Sequence, residues 1–418
     1  MKYQAGWPAA LRPWQHCAIF LAACALWVTR RPDALLHPQF WAEDGHVWFA
    51  NAYNLGGWTT LFRAQDGYFQ TLPRLAAALA VLAPLALAPL VLNLIAIAIE
   101  VLPVSILLST RSSAWGSLRY RAAMAAIYLA LPNLREICAI VTSSQWILAL
   151  CVFLVLVAAP PRGVAGRTFD IALLLICGLT GPFCVFLLPI ALFIAWRSRE
   201  PWRWTTAGII AALCAVQAWG LLVVDRSGRA HAPLGASPEL FARILGGHVF
   251  LGLLLGGNGL ASFKSSAIFL LLLCAAIGGT AILAICFSRS SIEMKLLLLL
   301  TAALLAGAFL SPAAYPPPGV TRWQLLAGAS GIRYWFFPTL SFAWSLLWCL
   351  FNRHGTLKTI SAVLLCILSF GLIRDWRIAP MKDMHWPENA QRFEAAPTGA
   401  TMVFPENPEG WTISLTKH

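Results

Sequence analysis

Charge is what this chain has least of: only 11% of its 418 residues are Asp, Glu, Lys or Arg. A soluble domain carries about 25%, so a water-facing surface cannot be built from this supply. Length alone would suggest two or three soluble domains at about 150 residues each. The mean hydropathy of +0.72 rejects that and makes lipid the main solvent. Acids are scarcer than bases, 17 against 30, yet the bases form no long run. The net charge of +13 is therefore not a nucleic-acid footprint. The 11 cysteines show no CxxC and no Cys/His pair at metal spacing. Nearly all lie in apolar runs, as small buried side chains, and the long polar segments contain none, so they say nothing about redox compartment. An inverted repeat of the kind found in many secondary transporters is also missing.

What is present is a series of apolar runs. A spanning helix needs about 20 apolar residues, with a range of about 17–25. Runs of this kind fall at 14–28, 88–109, 122–134, 143–159, 168–180, 182–196, 204–224, 265–287, 294–311, 333–351 and 357–373. The first reads as an uncleaved signal anchor. The runs at 168–180 and 182–196 meet at Gly178-Leu179-Thr180-Gly181-Pro182, a tight turn at one surface or a bend in one long helix. The expected fold class is an all-α polytopic membrane protein with about 11 transmembrane helices. With the N-terminus inside, the short loops carrying Arg111, Arg119, Arg121, Arg162, Arg197, Arg199, Arg203, Arg289 and Arg353 all fall on the cytoplasmic side. The long segments 29–87, 225–264, 312–332 and 374–418 fall on the other. The membrane domain spans 1–373 and a small outer tail 374–418.

The first outer loop, 29–87, is expected to carry a surface helix from Glu43 to Leu55, with Trp41, Trp48, Phe49 and Tyr53 as interfacial aromatics. The stretch Phe69 to Leu82 is too short to cross and reads as a re-entrant or membrane-surface helix. The same reading applies to Gly246–Gly259, as a wall for a lipid groove or a helix packed through small residues. In the tail, Thr401–Phe404 and Thr412–Leu415 read as short strands around Pro405–Gly410, forming a small lid.

The chemistry concentrates in that first loop. Glu43 and Asp44 are adjacent carboxylates among aromatics, followed by Gly45 and His46. A carboxylate close to hydrocarbon is costly to ionise, which moves it toward the range of a general base. The competing reading is a helix N-terminal cap. The loop also holds Arg63, Asp66, Tyr68 and Arg74, and remote outer segments add Arg322, Arg333 and Tyr334. Arginine holds phosphate by bidentate, charge-assisted hydrogen bonds; the competing reading for each is snorkelling to the interface. A carboxylate and arginines on one face suit a hydroxyl that attacks while a phosphate leaves. The 315–319 loop, Tyr-Pro-Pro-Pro-Gly, suits a mobile gate. Glu100 stands inside an apolar run, with Asn93 or Gln217 as expected partners. His46 and His248 are lone histidines, read as hydrogen-bonded side chains.

One N-terminal crossing, a long first outer loop with Glu43-Asp44, the segment Thr142-Ser143-Ser144-Gln145-Trp146, many crossings and a later Arg333-Tyr334 pair resemble the GT-C class of membrane glycosyltransferases. Protein O-mannosyltransferases and the aminoarabinose transferases of lipid A belong to that class. The resemblance implies an inverting glycosyltransferase with a polyprenyl-phosphate sugar as donor and a glycan, lipid or protein acceptor. It places Asp44 as base, with Glu43 as second choice, and Arg333, Arg74, Arg322 and Tyr334 at the donor phosphate. Asp66, Tyr68, Gln145 and His46 are secondary candidates on the acceptor side. The resemblance specifies no cofactor. A divalent ion between Asp44 and Asp66 stays open, since two carboxylates without a third ligand do not specify one. The absence of a large soluble domain sets the chain apart from the mannosyltransferases. The compact tail and Ala/Arg-rich composition point to a bacterial inner membrane, with the site facing the periplasm. The rival readings are a lipid-linked sugar flippase or transporter and a surface-polysaccharide polymerase or ligase.

Overall fold

The computed structural model describes residues 11–223, 232–261, 268–312, 316–328 and 331–418. It is an all-α membrane protein with two small β-hairpins. Helices dominate because hydrocarbon offers backbone groups no water partner, and a helix satisfies them internally. Among the described residues seven are long and apolar enough to cross a bilayer: Leu85–Leu108, Pro201–Leu222, Pro238–Gly257, Phe269–Arg289, Ile292–Leu310, Ile332–Asn352 and Thr356–Arg374. Ser144–Val157 and Phe183–Ser198 are shorter apolar helices. Length and apolarity therefore count seven, against the eleven read from the sequence. Pro13–Arg30 falls outside this set, diluted by Gln15, His16 and Arg30.

The Ser144–Val157 helix is the centre of the core: every residue but Gln145 is buried. A helix that is apolar all round must be covered all round. Its surroundings include Leu85–Leu108, Val164–Gly178 and Phe183–Ser198.

The 168–196 region is two helices, not one bent helix. Val164–Gly178 and Phe183–Ser198 are separated by a turn at 179–182, with Gly181 in the left-handed region at φ +77°. Side chains fix their directions. Arg167 lies over Trp202 at 5.4 Å, so the starts of Val164–Gly178 and of Pro201–Val223 lie together. Gln217 donates to the carbonyls of Gly178 (2.9 Å) and Gly181 (3.2 Å), so their other ends lie together too. Phe183–Ser198 therefore runs back between those two levels.

At the end of the bundle away from Asp44, arginines cap helix C-termini, where carbonyls lack intrahelical donors. Arg121 donates to Leu107 O (2.8 Å) and Ser109 O (2.5 Å). Arg203 donates to Leu156 O and Ala158 O. Arg111 grips Asp170 with both terminal nitrogens, at 2.8 and 2.7 Å, and donates from Nε to Ala159 O.

Pro238–Gly257 is long enough to cross, yet both of its ends meet the Asp44 face. Phe241 contacts Phe309 at the end of Ile292–Leu310, at 5.4 Å. Gly257 N donates to Asp375, just past Thr356–Arg374, at 2.5 Å. Between them His248 meets Ala327 O at 3.0 Å and Asn133 donates to Gly252 O at 3.1 Å. The helix carries a π-helical stretch over Arg243–Leu251 and a left-handed break at Gly256. The side chains of Asn258 and Gly259, the 225–231 segment and Tyr315 of the proline loop lie outside the described residues.

On the Asp44 face the first loop folds as a chain of short elements. A π-helical turn, Asp44–Phe49, runs into Ala50–Leu55. Strands β1 (Ala64–Gln65) and β2 (Tyr68–Phe69) form a hairpin turned by Asp66 and Gly67, both at positive φ, the geometry Asp-Gly favours. Thr71–Ala80 follows; ten residues at about 1.5 Å each do not span a bilayer. Trp48 and Phe49 are buried, not interfacial as expected: Trp48 reaches Thr142 and Arg74, and Phe49 packs on Phe40 and Tyr53. That tail is a helix, Trp386–Glu394, and an antiparallel hairpin of β3 (Thr401–Glu406) and β4 (Trp411–Thr416). It is sewn to the loop by Ala42 N to Asn407 O (2.5 Å), Asn54 Nδ2 to Ser414 O (2.9 Å) and Thr416 N to Asn54 Oδ1 (2.9 Å). Phe40, Trp386, Phe393 and Phe404 fill the space between.

Candidate functional site

Asp44 is buried and its carboxylate does not cap its own helix. It crosses to the 131–143 segment. Oδ2 accepts from Val141 N at 3.1 Å, and Oδ1 accepts from Thr142 N at 2.9 Å and from the Thr142 hydroxyl. Burial raises its pKa to about 7, against the pull of the Thr142 and Val141 donors; Glu43 pushes in the same direction as burial. Those donors favour the anion, so Asp44 titrates near neutral pH in spite of its burial. The π-helical turn, preceded by Ala42 at φ +46°, aims it there; such turns recur at functional sites.

A continuous relay leads from Asp44 to an arginine. Trp48 Nε1 donates to Thr142 Oγ1 at 2.7 Å, and the Arg74 guanidinium lies 5.0 Å over the Trp48 ring. Arg74 is buried, and among the described residues its Nε and Nη1 have no hydrogen-bond partner. Burial, then Arg63, lowers its pKa to about 10, so it stays a cation at neutral pH.

Glu136, on the same 131–143 segment, holds the second arginine. Its Oε1 accepts from Gly331 N at 2.9 Å, and Oε2 pairs with Arg333 Nη1 at 3.2 Å. The Arg333 guanidinium also lies 5.4 Å from the Tyr334 ring, which packs edge-on against Trp146 at 5.4 Å. Tyr68 sits within electrostatic reach of Tyr334, Asp66, Arg333 and Glu43. Burial pushes its hydroxyl up, Tyr334 and Asp66 add to that, and Arg333 opposes it.

The segment is also held from below. Glu100 is fully buried and accepts from Trp27 Nε1 (2.6 Å) and Ala139 N (3.0 Å). Arg31 donates to Cys138 O at 2.6 Å. The expected partners of Glu100 lie elsewhere: Asn93 donates to Ala34 O at 2.8 Å, and Gln217 receives Phe69 N at 2.9 Å. Residues 136–142 are thus a backbone plate gripped by Glu100 on one side and by Asp44 on the other.

The structure therefore gathers Glu43, Asp44, Asp66, Tyr68, Arg333 and Tyr334, with Arg74 one indole away. Arg322 stands apart. Its Nε donates to Ala232 O at 2.9 Å and its backbone to Pro233 O, so it anchors a loop; no described contact links it to Asp44. His46 turns to the tail, meeting Thr412 O at 2.5 Å and the Trp411 ring. Gln145 packs against Gly181, where a side chain would strike it. Among the described residues no three His, Cys, Asp or Glu converge as a metal would require.

Sequence reading missed Glu136, Thr142 as a donor, and Glu406. Glu406 ends β3, buried, beside Gly45. Its signal was the strand's alternation: Met402, Phe404 and Glu406 share the inward face. An acid in the third core-facing position is out of place in a plain lid.

An apolar groove of about 920 Å³ opens between Pro238–Gly257 and Phe269–Arg289, lined by Phe241, Leu245, Phe269, Leu273, Ile277 and Trp323. Trp323 contacts Phe309 at 4.8 Å, and Phe309 contacts Trp335, the neighbour of Tyr334, at 6.1 Å. Comparison with family models gives no match to this chain, and comparison with curated proteins gives none either.

Proposed function

We propose that the chain is an inverting membrane glycosyltransferase of the GT-C kind, with about eleven crossings counting its shorter helices. It moves a sugar from a polyprenyl-phosphate donor to an acceptor hydroxyl at the outer face of a bacterial inner membrane. The observation that carries this reading is the carboxylate of Asp44, poised near pH 7 and joined through Thr142 and Trp48 to Arg74. Arg333 pairs with Glu136 at the other end of the segment that carries Thr142.

In this reading the donor phosphate lies against Arg333, with Arg74 as a second cation. Its lipid tail follows the aromatic row from Trp335 through Phe309 to the groove at Trp323. The acceptor oxygen attacks the anomeric carbon from the face opposite the phosphate. The bond from that carbon to the phosphate oxygen breaks, and the phosphate leaves with the electron pair. Asp44 takes the hydroxyl proton and later returns it to water. The arginines stabilise charge developing on the phosphate, and the base supplies about 10²–10⁴ in rate.

The test is release of label from a panel of radiolabelled polyprenyl-phosphate monosaccharides by the purified chain in micelles, with and without added glycan. Wild type releases one of them. Asp44→Asn is slower by about 10²–10⁴ while inserting normally. Wild-type rates from both Asp44→Asn and Glu43→Gln would overturn the assignment.

A further inference from the structure

Glu406 comes from the last forty residues of the chain yet touches the site. It is 2% exposed. Its Oε2 lies so close to the Cα of Gly45 that a side chain there would overlap it. Among the described residues neither of its oxygens has a hydrogen-bond partner of good geometry, although the His46 amide is a nearby donor. The hairpin holds it there through Asn407, whose carbonyl takes Ala42 N and whose amide donates to Phe40 O.

We propose that Glu406 is a positioning residue for Asp44: the C-terminal hairpin inserts a second acid beside the base, and the two acids hold one proton between them. This rests on Asp44 being the base of the transfer reaction. Two carboxylates in one dry site do not both ionise readily, and such a pair titrates as a unit. The donors are distributed unequally. Asp44 has Val141 N, Thr142 N and the Thr142 hydroxyl, all of which favour its charged form. Glu406 has no comparable set, so it keeps the proton. The surrounding charges do not reverse this. Glu43 is a third acid on the Asp44 side, and the His46 ring is engaged with Thr412 O. On the tail, Lys382 is paired with Glu409 and Asp383 with His385, all exposed. Burial, then the charge on Asp44, raises Glu406 to about 9. As a neutral acid Glu406 keeps a polar hydroxyl in the site without adding a second charge beside Asp44. Of the two, Asp44 is then the anion, held by its Val141 and Thr142 donors.

The experiment is infrared titration of the full-length chain in micelles, following the protonated-carboxyl band in wild type, Glu406→Gln and Asp44→Asn. The component lost in Glu406→Gln belongs to Glu406. It should persist in wild type until about pH 9, and its midpoint should fall by about one unit or more in Asp44→Asn. Should Glu406→Gln fail to accumulate, the wild-type and Asp44→Asn titrations decide alone. No component moved by Asp44→Asn overturns the proposal, whether or not the chain transfers sugar. In the transfer assay, Glu406→Leu should shift the rising limb of the pH–rate profile upward by about one unit, and Glu406→Gln, whose amide still donates, should restore it. A limb that both variants leave in place overturns the positioning role while leaving Asp44 as base.

Discussion

Thr142 serves two partners with one hydroxyl. It donates to Asp44 and accepts from Trp48 Nε1, so it both stabilises the carboxylate and fixes the indole on which Arg74 rests. Thr142→Val keeps the shape and removes the donor. A hydrogen bond to a charged group is worth about 1.5–3 kcal/mol, and one pKa unit is about 1.36 kcal/mol. Removing a donor that favours the anion should therefore raise Asp44 by about one unit from its present value near 7. Transfer at pH 7 should fall about fivefold and recover as pH is raised, read from the pH–rate profile. A loss independent of pH would mean that Thr142 only supports the fold. Asp44 itself was legible because an acid pair among aromatics after the first helix is unusual. Its donors were not, since they are backbone amides about a hundred residues away, and amides leave no mark in sequence.

The first outer loop and the C-terminal hairpin are each too small to hold a core. Each uses the other. Asn54 pairs with one edge of β4 through Ser414 O and Thr416 N, and Gly45 admits the Glu406 carboxyl against its backbone. Gly45→Ala would put a methyl group into Glu406 and onto the Phe40 Cβ, at 2.9 Å. Overpacking of this kind costs about 1–3 kcal/mol, a rise of about five- to 150-fold in the undocked population. Limited proteolysis should then cut the tail faster than in wild type, at Lys382 or Arg392, both exposed. Unchanged protection would show that the docking tolerates the side chain. The strands at 401–404 and 412–415 were readable from their alternation and intervening prolines, and the structure extends them to Thr401–Glu406 and Trp411–Thr416. That the lid lands on the Glu43–Leu55 segment was not readable: pairing between distant segments is decided by surfaces neither segment displays alone.

Across the whole molecule the two ends of the bundle differ in kind. One end carries arginines spent on helix C-termini and on Asp170. The other carries the acids, the hairpins and the aromatic cover. If short basic loops stay on the cytoplasmic side, an impermeant maleimide applied to intact spheroplasts should label Arg63→Cys and Thr398→Cys and spare Ser117→Cys and Glu200→Cys, in a background without native cysteines. All four positions are exposed. Labelling of Ser117→Cys together with Arg63→Cys would break the assignment of faces. Pro238–Gly257 is apolar without joining the two ends: it packs into its neighbouring helices, with Phe250 on Phe342 at 4.7 Å and against Gly279.

Composition and apolar runs determine, without any coordinates, that this is a multi-pass helical membrane protein, because lipid demands apolar surface and internally bonded backbone over a known thickness. They also determine where the scarce charge falls along the chain. Only the tertiary structure decides which of those charges meet. Asp44 finds Thr142, Arg333 finds Glu136, and Glu406 finds Gly45, each across a gap in sequence that periodicity does not bridge. Burial and hydrogen-bond supply at the meeting point then decide which of the acids carries a charge.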